Sequence, residues 1–107
     1  MTVLVIRAHK RFGVCRSIAL RGRAGVWQSG LLIEVSLEGC RISGIDCRGF
    51  AFAERVDVTV DGCPSFCGDI RWLRDGMIGL RLTQPLHHAE LASLVHSCRL
   101  PEEARRA

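Results

Sequence analysis

The sequence predicts a mostly β protein, a small six-stranded antiparallel β-barrel with one C-terminal α-helix. The clearest strand is residues 55–61, where valines alternate with polar residues as in a strand with one buried face. Asp75-Gly76 stands between two apolar segments and is a strong signal for a two-residue hairpin. A stripe with the helical spacing i, i+3, i+4 and i+7 follows at Leu91, Leu94, Val95 and Cys98.

The first half of the chain is assigned from turn signals and short apolar runs. A loosely alternating strand is predicted over residues 14–20, before the polar, glycine-rich turn of residues 21–25. Ser29-Gly30 is a second turn signal, and a compact apolar strand follows over residues 31–35. Another short strand begins at Cys40.

The second half begins with the weakest signal. Residues 43–55 are predicted as a loop with room for a short strand, and the later hairpin strands extend over residues 66–73 and 77–83. Residues 101–107 are predicted to be a frayed, charged tail. A barrel is favoured for these strands because antiparallel strands that close on themselves leave no exposed edge.

Length and composition indicate one soluble domain. The 107 residues are expected to form a single domain over residues 1–100, in which residues 1–12 are a flexible arm that carries arginines. The longest apolar run, residues 2–6, is too short to span a bilayer and lacks the pattern of a signal peptide. We therefore expect a cytoplasmic protein with no membrane span.

The net charge of +4 comes almost entirely from arginine, since Lys10 is the only lysine. The planar fork of arginine fits phosphate groups and base edges, so the composition favours an anionic partner. A genome biased towards arginine would give the same balance, so this signal is weak.

Six cysteines in a chain without an export signal favour reduced, structural thiols over disulfides. Cys63 and Cys67 form a CxxxC pair, and His87-His88 offers imidazole nitrogens. A structural zinc site normally has two well-formed ligand pairs, and the second pair is missing from this pattern. The sequence therefore predicts no metal or cofactor.

Two short motifs carry the functional signal. The first is the segment Arg7-Ala8-His9-Lys10-Arg11, and the second is Glu34-Val35-Ser36-Leu37-Glu38-Gly39. They resemble the RxxxR and [D/N]xSxxG motifs of PilZ domains, the small β-barrel receptors for the bacterial second messenger cyclic di-GMP. The hairpin around Asp75-Gly76, with Arg71-Trp72 on its first strand, also resembles the late hairpin of that family.

The resemblance implies a ligand site, because the two motifs of PilZ domains hold cyclic di-GMP against the outside of the barrel. Carried over by motif, the ligand-binding residues are Arg7, Arg11, Glu34, Ser36 and Gly39. Two second-tier candidates, for a phosphate contact and for packing near the ligand, are Lys10 and Trp72.

The chemistry of these residue types suits the implied ligand. An arginine fork satisfies the N7 and O6 acceptors of guanine together, and its plane also stacks on a purine. Ser36 offers a hydroxyl donor, and Gly39 permits close approach of the backbone. A carboxylate at position 34 accepts from the guanine N1–H and amine, although Glu34 is one methylene longer than the Asp or Asn usual in the family.

The implied function is a receptor in which cyclic di-GMP orders the arginine arm on the barrel and so signals to an effector protein. The alternative is a degenerate PilZ domain that binds no nucleotide and acts as a protein–protein interaction module. Glu34 favours this alternative, whereas the intact Arg7 and Arg11 pair argues against it. An extended nucleic acid is disfavoured because the aromatic residues form no obvious stacking platform, and no set of residues typical of an enzyme emerges.

Each candidate residue also has a purely structural interpretation. Arg7 and Arg11 are then solvated charges on an arm, and Glu34 is an exposed strand residue. Ser36 with Gly39 is an ordinary polar turn, and Trp72 packs against the barrel.

Overall fold

A computed structural model describes residues 10–97 of the chain, with side chains to residue 95. Six antiparallel strands form a closed barrel with the order β1-β2-β3-β6-β5-β4. The elements are β1 Phe12–Arg21, β2 Trp27–Val35, β3 Gly39–Ser43, a short 3₁₀ turn Cys47–Gly49, β4 Arg55–Val60, β5 Phe66–Arg74, β6 Met77–Leu82 and α1 His88–Ser97. The predicted six-stranded barrel with a C-terminal helix is thereby confirmed.

Some of the sequence predictions fall on parts of the chain outside the described residues. These are Arg7, residues 1–9 of the predicted arm, Cys98 of the helical stripe and the predicted tail at residues 101–107. Phe12, the last residue of the predicted arm, is the first residue of β1. The proposed domain limits stay predictions.

The barrel interior is filled by the alternate residues of all six strands. In one ring that crosses the sheet, Val35 pairs with Cys40, Cys40 with Leu80, and Leu80 with Ile70, and all four are buried. Their neighbours along each strand point outwards, because successive side chains of a strand alternate between its two faces. The ring therefore fixes which residues lie on the outer surface next to it.

The hairpin prediction at Asp75-Gly76 is confirmed. Both residues have positive φ, 53° and 76°, as a two-residue turn of the I′ class requires. The prediction of a turn at Ser29-Gly30 is wrong, because both residues lie within β2. A Cβ atom on Gly30 would lie 2.6 Å from Cδ1 of Ile45, so this glycine makes room for a core side chain instead.

Residues 44–54 contain no strand, and the short strand allowed for this segment is replaced by the 3₁₀ turn. Asp46 caps the turn by accepting a hydrogen bond from the backbone N–H of Arg48 at 3.1 Å. The side chains of these two residues also form an ion pair at 2.8 Å, which lowers the pKa of Asp46 to about 2.

Glu54 is a buried acid, 7% exposed, that joins two loops at one end of the barrel. Its carboxylate accepts hydrogen bonds from the backbone N–H of Arg23, after β1, and from that of Ala51, before β4. The backbone of the same segment pairs with β5, since Ile70 N–H donates to the Glu54 carbonyl at 2.9 Å. The carboxylate thus substitutes for ladder hydrogen bonds where the strands end.

The helix α1 packs against β1. Leu91 and Leu94 of the predicted stripe are buried in the core, and Val95 is half-buried against it. Glu90 accepts from the backbone N–H of His87 at 2.8 Å and so satisfies one of the free donors of the first turn. None of the helices within residues 10–97 has the length and apolar character that crossing a bilayer requires.

Replacing Glu54 tests its role in joining the loops. Glu54→Ala leaves two backbone N–H groups without their acceptor, and we expect the free energy of unfolding to fall by about 2 kcal/mol. Glu54→Gln keeps one acceptor oxygen, so its effect is expected to be smaller. Urea denaturation measures both, with Asp61→Ala as the control because Asp61 is exposed. Equal stability of wild type and Glu54→Ala would contradict this role.

Candidate functional site

An open groove of about 360 Å³ lies on the outer surface of the barrel across β2, β3, β6 and β5. Its charged lining is four arginines and one carboxylate, namely Arg11, Arg41, Arg71, Arg74 and Glu34. The remaining lining residues are Ser36, Gly39, Cys40, Trp72, Gly79 and Leu80. A concave surface with this excess of positive charge attracts anions.

The strand register sets the floor of the groove. Glu34 of β2 pairs with Arg41 of β3, Arg41 pairs with Gly79 of β6, and Gly79 pairs with Trp72 of β5. Glu34, Arg41 and Gly79 each adjoin a residue of the buried ring and so belong to the outer face. A bulge brings Trp72 opposite Gly79 and completes the row. We call these four residues the transverse row.

Two β-bulges adjoin this row. The register of β2 against β3 shifts between Leu32 and Glu34, so that Ile33 has no partner in β3. The register of β5 against β6 shifts between Ile70 and Trp72, where Arg71 is the extra residue. A bulge re-aims the side chains that follow it. Without the bulge in β5, Arg71 would occupy the row in place of Trp72.

The carboxylate of Glu34 contacts two guanidinium groups. Its Oε2 accepts from Nη2 of Arg41 at 2.9 Å, and its Oε1 lies 3.5 Å from Nη1 of Arg11. The Glu34 side chain is only 25% exposed, so these charge-assisted contacts are partly shielded from water. The structure thus brings together Arg11 and Glu34 from the two sequence motifs and adds Arg41.

Ser36 and Gly39 build the turn between β2 and β3. The Ser36 hydroxyl accepts from the backbone N–H of Gly39 at 3.1 Å and from that of Glu38 at 3.3 Å. A Cβ on Gly39 would lie 2.8 Å from the carbonyl oxygen of Leu80, so only glycine lets β6 approach this closely. Both residues therefore have the structural role of a polar turn, and both also line the groove.

The indole of Trp72 covers Gly79 of β6. A methyl group on Gly79 would overlap the indole, so the missing side chain of Gly79 creates the space that Trp72 occupies. The guanidinium carbon of Arg74 is 5.3 Å from the centre of the indole ring, within the range of a cation–π contact. Trp72 is half-buried and lines the groove.

One other predicted position, Lys10, is not brought into the groove, and a second, Arg7, is not among the described residues. Lys10 lies with its Nζ 5.5 Å from the centre of the Phe12 ring, and it is not among the residues that line the groove. Arg7 falls outside residues 10–97. The groove therefore collects Arg11, Glu34, Ser36, Gly39 and Trp72 from the predicted set.

Sequence reasoning missed three arginines of the groove, Arg41, Arg71 and Arg74. A signal for Arg41 was present, since it stands between Cys40 and Ile42 in a strand and alternation places it on the opposite face from both. A similar signal was present for Arg71, since it follows Ile70, which is buried, and alternation places it on the outer face. Beneath the groove, burial raises the pKa of the Cys40 thiol to about 12, so this thiol is neutral at physiological pH.

Chemically, the groove offers several guanidinium donors, one carboxylate acceptor and an indole face. Guanidinium forks bind phosphate or the Hoogsteen edge of guanine, and a carboxylate accepts from amino and imino groups. An indole provides a surface on which a base can stack. These are the groups that recognise a nucleotide.

Comparison with known proteins identifies the fold. No protein-family model matches the sequence, and no curated protein matches it. The structure resembles the Bacillus subtilis inhibitor of motility MotI/DgrA, with a TM-score of 0.65 and 12% identity over 97% of this chain. This chain spans 55% of the length of that protein.

A second similar structure is the PilZ domain of CeSA from a cellulose-synthesizing bacterium. Its TM-score is 0.63 at 13% identity, and the alignment covers 87% of this chain and 98% of that domain. The match extends over nearly the whole of an isolated PilZ domain, and it agrees with the closed six-stranded barrel and terminal helix. In fold, this chain is a PilZ-like domain.

Proposed function

We propose that this chain is a receptor for cyclic di-GMP, which binds in the groove. The observation that carries the proposal is the convergence of the two motifs. Arg11, from the RxxxR segment, lies 3.5 Å from Glu34, and Glu34, Ser36 and Gly39 line the same groove. The PilZ-like fold supports this assignment, because the motifs were identified from the sequence independently of the fold.

Charge supports an anionic ligand. Four guanidinium groups and one carboxylate give the groove a formal charge of +3, and cyclic di-GMP carries two negative phosphates. The arginines bind phosphate oxygens or the N7 and O6 atoms of guanine. Arg7, four residues before Arg11, is assigned to the same ligand by its place in the motif.

Glu34 is assigned to the other edge of guanine. Its carboxylate is the acceptor for the guanine N1–H and exocyclic amine, which distinguishes guanine from adenine. In the structure both carboxylate oxygens contact arginines, so the ligand has to exchange with these contacts. We therefore expect Glu34 to contribute specificity for guanine at some cost in affinity.

Trp72 is assigned to the second base. The indole is held in place by Gly79 beneath it and by the contact with Arg74. Stacking of a guanine on this ring requires Arg74 to move aside or to stack on the base in turn, and both arrangements keep a cation near the purine. The serine hydroxyl remains with the turn and supports the loop that faces the ligand.

In this proposal the protein signals through the surface that it presents when the ligand is bound. Cyclic di-GMP joins the arginine-bearing N-terminal segment to the barrel, and an effector protein recognises the altered surface. This is the activity of a bacterial, cytoplasmic adaptor. The competing function is a PilZ-like module that binds a partner without nucleotide, and the existing contacts of Glu34 and Ser36 favour it.

Calorimetric titration with cyclic di-GMP tests the proposal. We expect binding by wild type and a loss of about 10- to 100-fold in Arg11→Ala, because one charge-assisted contact contributes about 1.5–3 kcal/mol. Arg48→Ala is the matched control, since its side chain is 90% exposed and it does not line the groove. This control is expected to bind as tightly as wild type.

The titration also separates the two candidate functions. Glu34→Asp restores the residue usual in PilZ domains and shortens the carboxylate by one methylene. If neither wild type nor Glu34→Asp binds cyclic di-GMP, the receptor proposal fails and the interaction module is favoured. Equal binding by wild type and Arg11→Ala would contradict the role given to Arg11.

A substitution at Gly79 tests the role of Trp72. Gly79→Ala displaces the indole, and we expect about a tenfold loss of affinity for cyclic di-GMP, since stacking of one base contributes about 1–3 kcal/mol. Gly49→Ala is the control, because Gly49 does not line the groove and a Cβ there meets only Nε2 of Gln28, at 3.9 Å. Trp72→Ala should reproduce the loss, and unchanged affinity in both variants would exclude Trp72 from the site.

A further inference from the structure

Arg41 lies at the centre of the transverse row. Glu34 is its partner on one side and Gly79 on the other, with Trp72 one strand beyond Gly79. A Cβ on Gly79 would overlap the indole of Trp72, so the ring covers Gly79 and is the next group to Arg41 along the row. The guanidinium group thus stands between the carboxylate and the aromatic ring of the groove.

The hydrogen bonding of Arg41 is incomplete. Nη2 donates to Glu34 at 2.9 Å, whereas Nε is buried and has no acceptor among residues 10–97. An arginine side chain carries five N–H donors, and a buried donor without an acceptor lowers stability. The side chain as a whole is 36% exposed and lines the groove, so a ligand can approach its outer edge.

We infer that Arg41 binds a phosphate group of the nucleotide ligand and that Glu34 positions its guanidinium before the ligand arrives. The inference rests on the proposed function and adds to it a residue that neither motif contains. A phosphate offers two oxygens to the parallel N–H groups of Nε and one Nη, which is the fork geometry that carboxylates and phosphates share. A small rotation of the guanidinium brings Nε to a phosphate oxygen, which is the acceptor that Nε lacks.

The positions of the bases lead to the same assignment. A guanine edge at Glu34 and a guanine stacked on Trp72 are separated by β3, because Glu34 lies on β2 and the indole covers Gly79 of β6. Neighbouring strands lie about 4.8 Å apart. The phosphates connect the two nucleosides of the ligand, so one phosphate passes over β3. Arg41 is the residue of the transverse row that offers a positive charge there.

The alternative role for Arg41 is to neutralise Glu34 without touching the ligand. The two roles differ in the variant Glu34→Gln, where no carboxylate needs neutralising. If Arg41 contacts phosphate, Arg41→Gln weakens binding by about tenfold in the wild-type background. It still weakens binding in the Glu34→Gln background, by a smaller factor, because the carboxylate that positions the guanidinium is gone. If Arg41 only neutralises Glu34, the loss disappears in the Glu34→Gln background.

The experiment is a calorimetric titration with cyclic di-GMP of wild type, Arg41→Gln, Glu34→Gln and the double variant, at several salt concentrations. We expect Arg41→Gln to reduce the salt dependence of the dissociation constant, because one ligand phosphate loses a cation. Arg41→Lys should restore part of the affinity, since it keeps the charge and loses the fork. Arg48→Gln, outside the groove, is the matched control and should change neither quantity.

The possible results are separable. If wild type does not bind cyclic di-GMP, the proposed function fails and the role of Arg41 fails with it. If wild type binds and Arg41→Gln binds equally well, or if its loss vanishes with Glu34→Gln, only the role of Arg41 is overturned. Thermal melting identifies a variant that does not fold. If Arg41→Gln does not fold, the dissociation constants of Glu34→Gln and of the double variant are compared instead. The double variant keeps a neutral pair at these positions, and weaker binding by it than by Glu34→Gln supports the role of Arg41.

Discussion

The register of β3 against its two neighbours is the constraint on which the candidate site depends. β3 has only five residues, Gly39–Ser43, and it must pair with β2 on one side and β6 on the other to keep the barrel closed. Burial of Cys40 and Ile42 fixes which residues of β3 face outwards. Arg41 is therefore held on the outer surface by the core on its other side, because a shift of one residue would exchange the two faces.

Bulges on the partner strands then adapt a regular ladder to a binding surface. Ile33 and Arg71 are each one residue in excess, in β2 and β5. The bulge in β5 makes Trp72 the partner of Gly79 in β6, and the bulge in β2 lies directly beside Glu34. The groove thus has its acceptor and its aromatic face at opposite ends, with glycine and arginine between them. Bulges occur frequently next to functional sites, where they redirect side chains in this way.

The barrel and part of the site were predictable from the sequence, for identifiable reasons. The valine alternation of β4 and the Asp75-Gly76 turn are local signals that tertiary packing reinforced. Gly30 misled the prediction because a glycine in a turn and a glycine beneath a bulky neighbour look alike in sequence, and here Ile45 supplied the neighbour. Trp72 entered the transverse row through a register shift, which depends on closure of the whole barrel. The roles given to Arg11, Glu34, Ser36, Gly39 and Trp72 remain predictions.

The closed order of the strands limits how another protein can recognise this domain. Many peptides bind by adding a strand to an exposed sheet edge, using backbone hydrogen bonds that are largely independent of sequence. Within residues 10–97 every strand of the barrel has a partner on both sides over part of its length, so this mode of docking is closed along the paired stretches. There, recognition of the barrel has to use side chains, which makes it dependent on surface composition. If different charged side chains come to face outwards, the surface that a partner binds therefore changes, even when the backbone does not move.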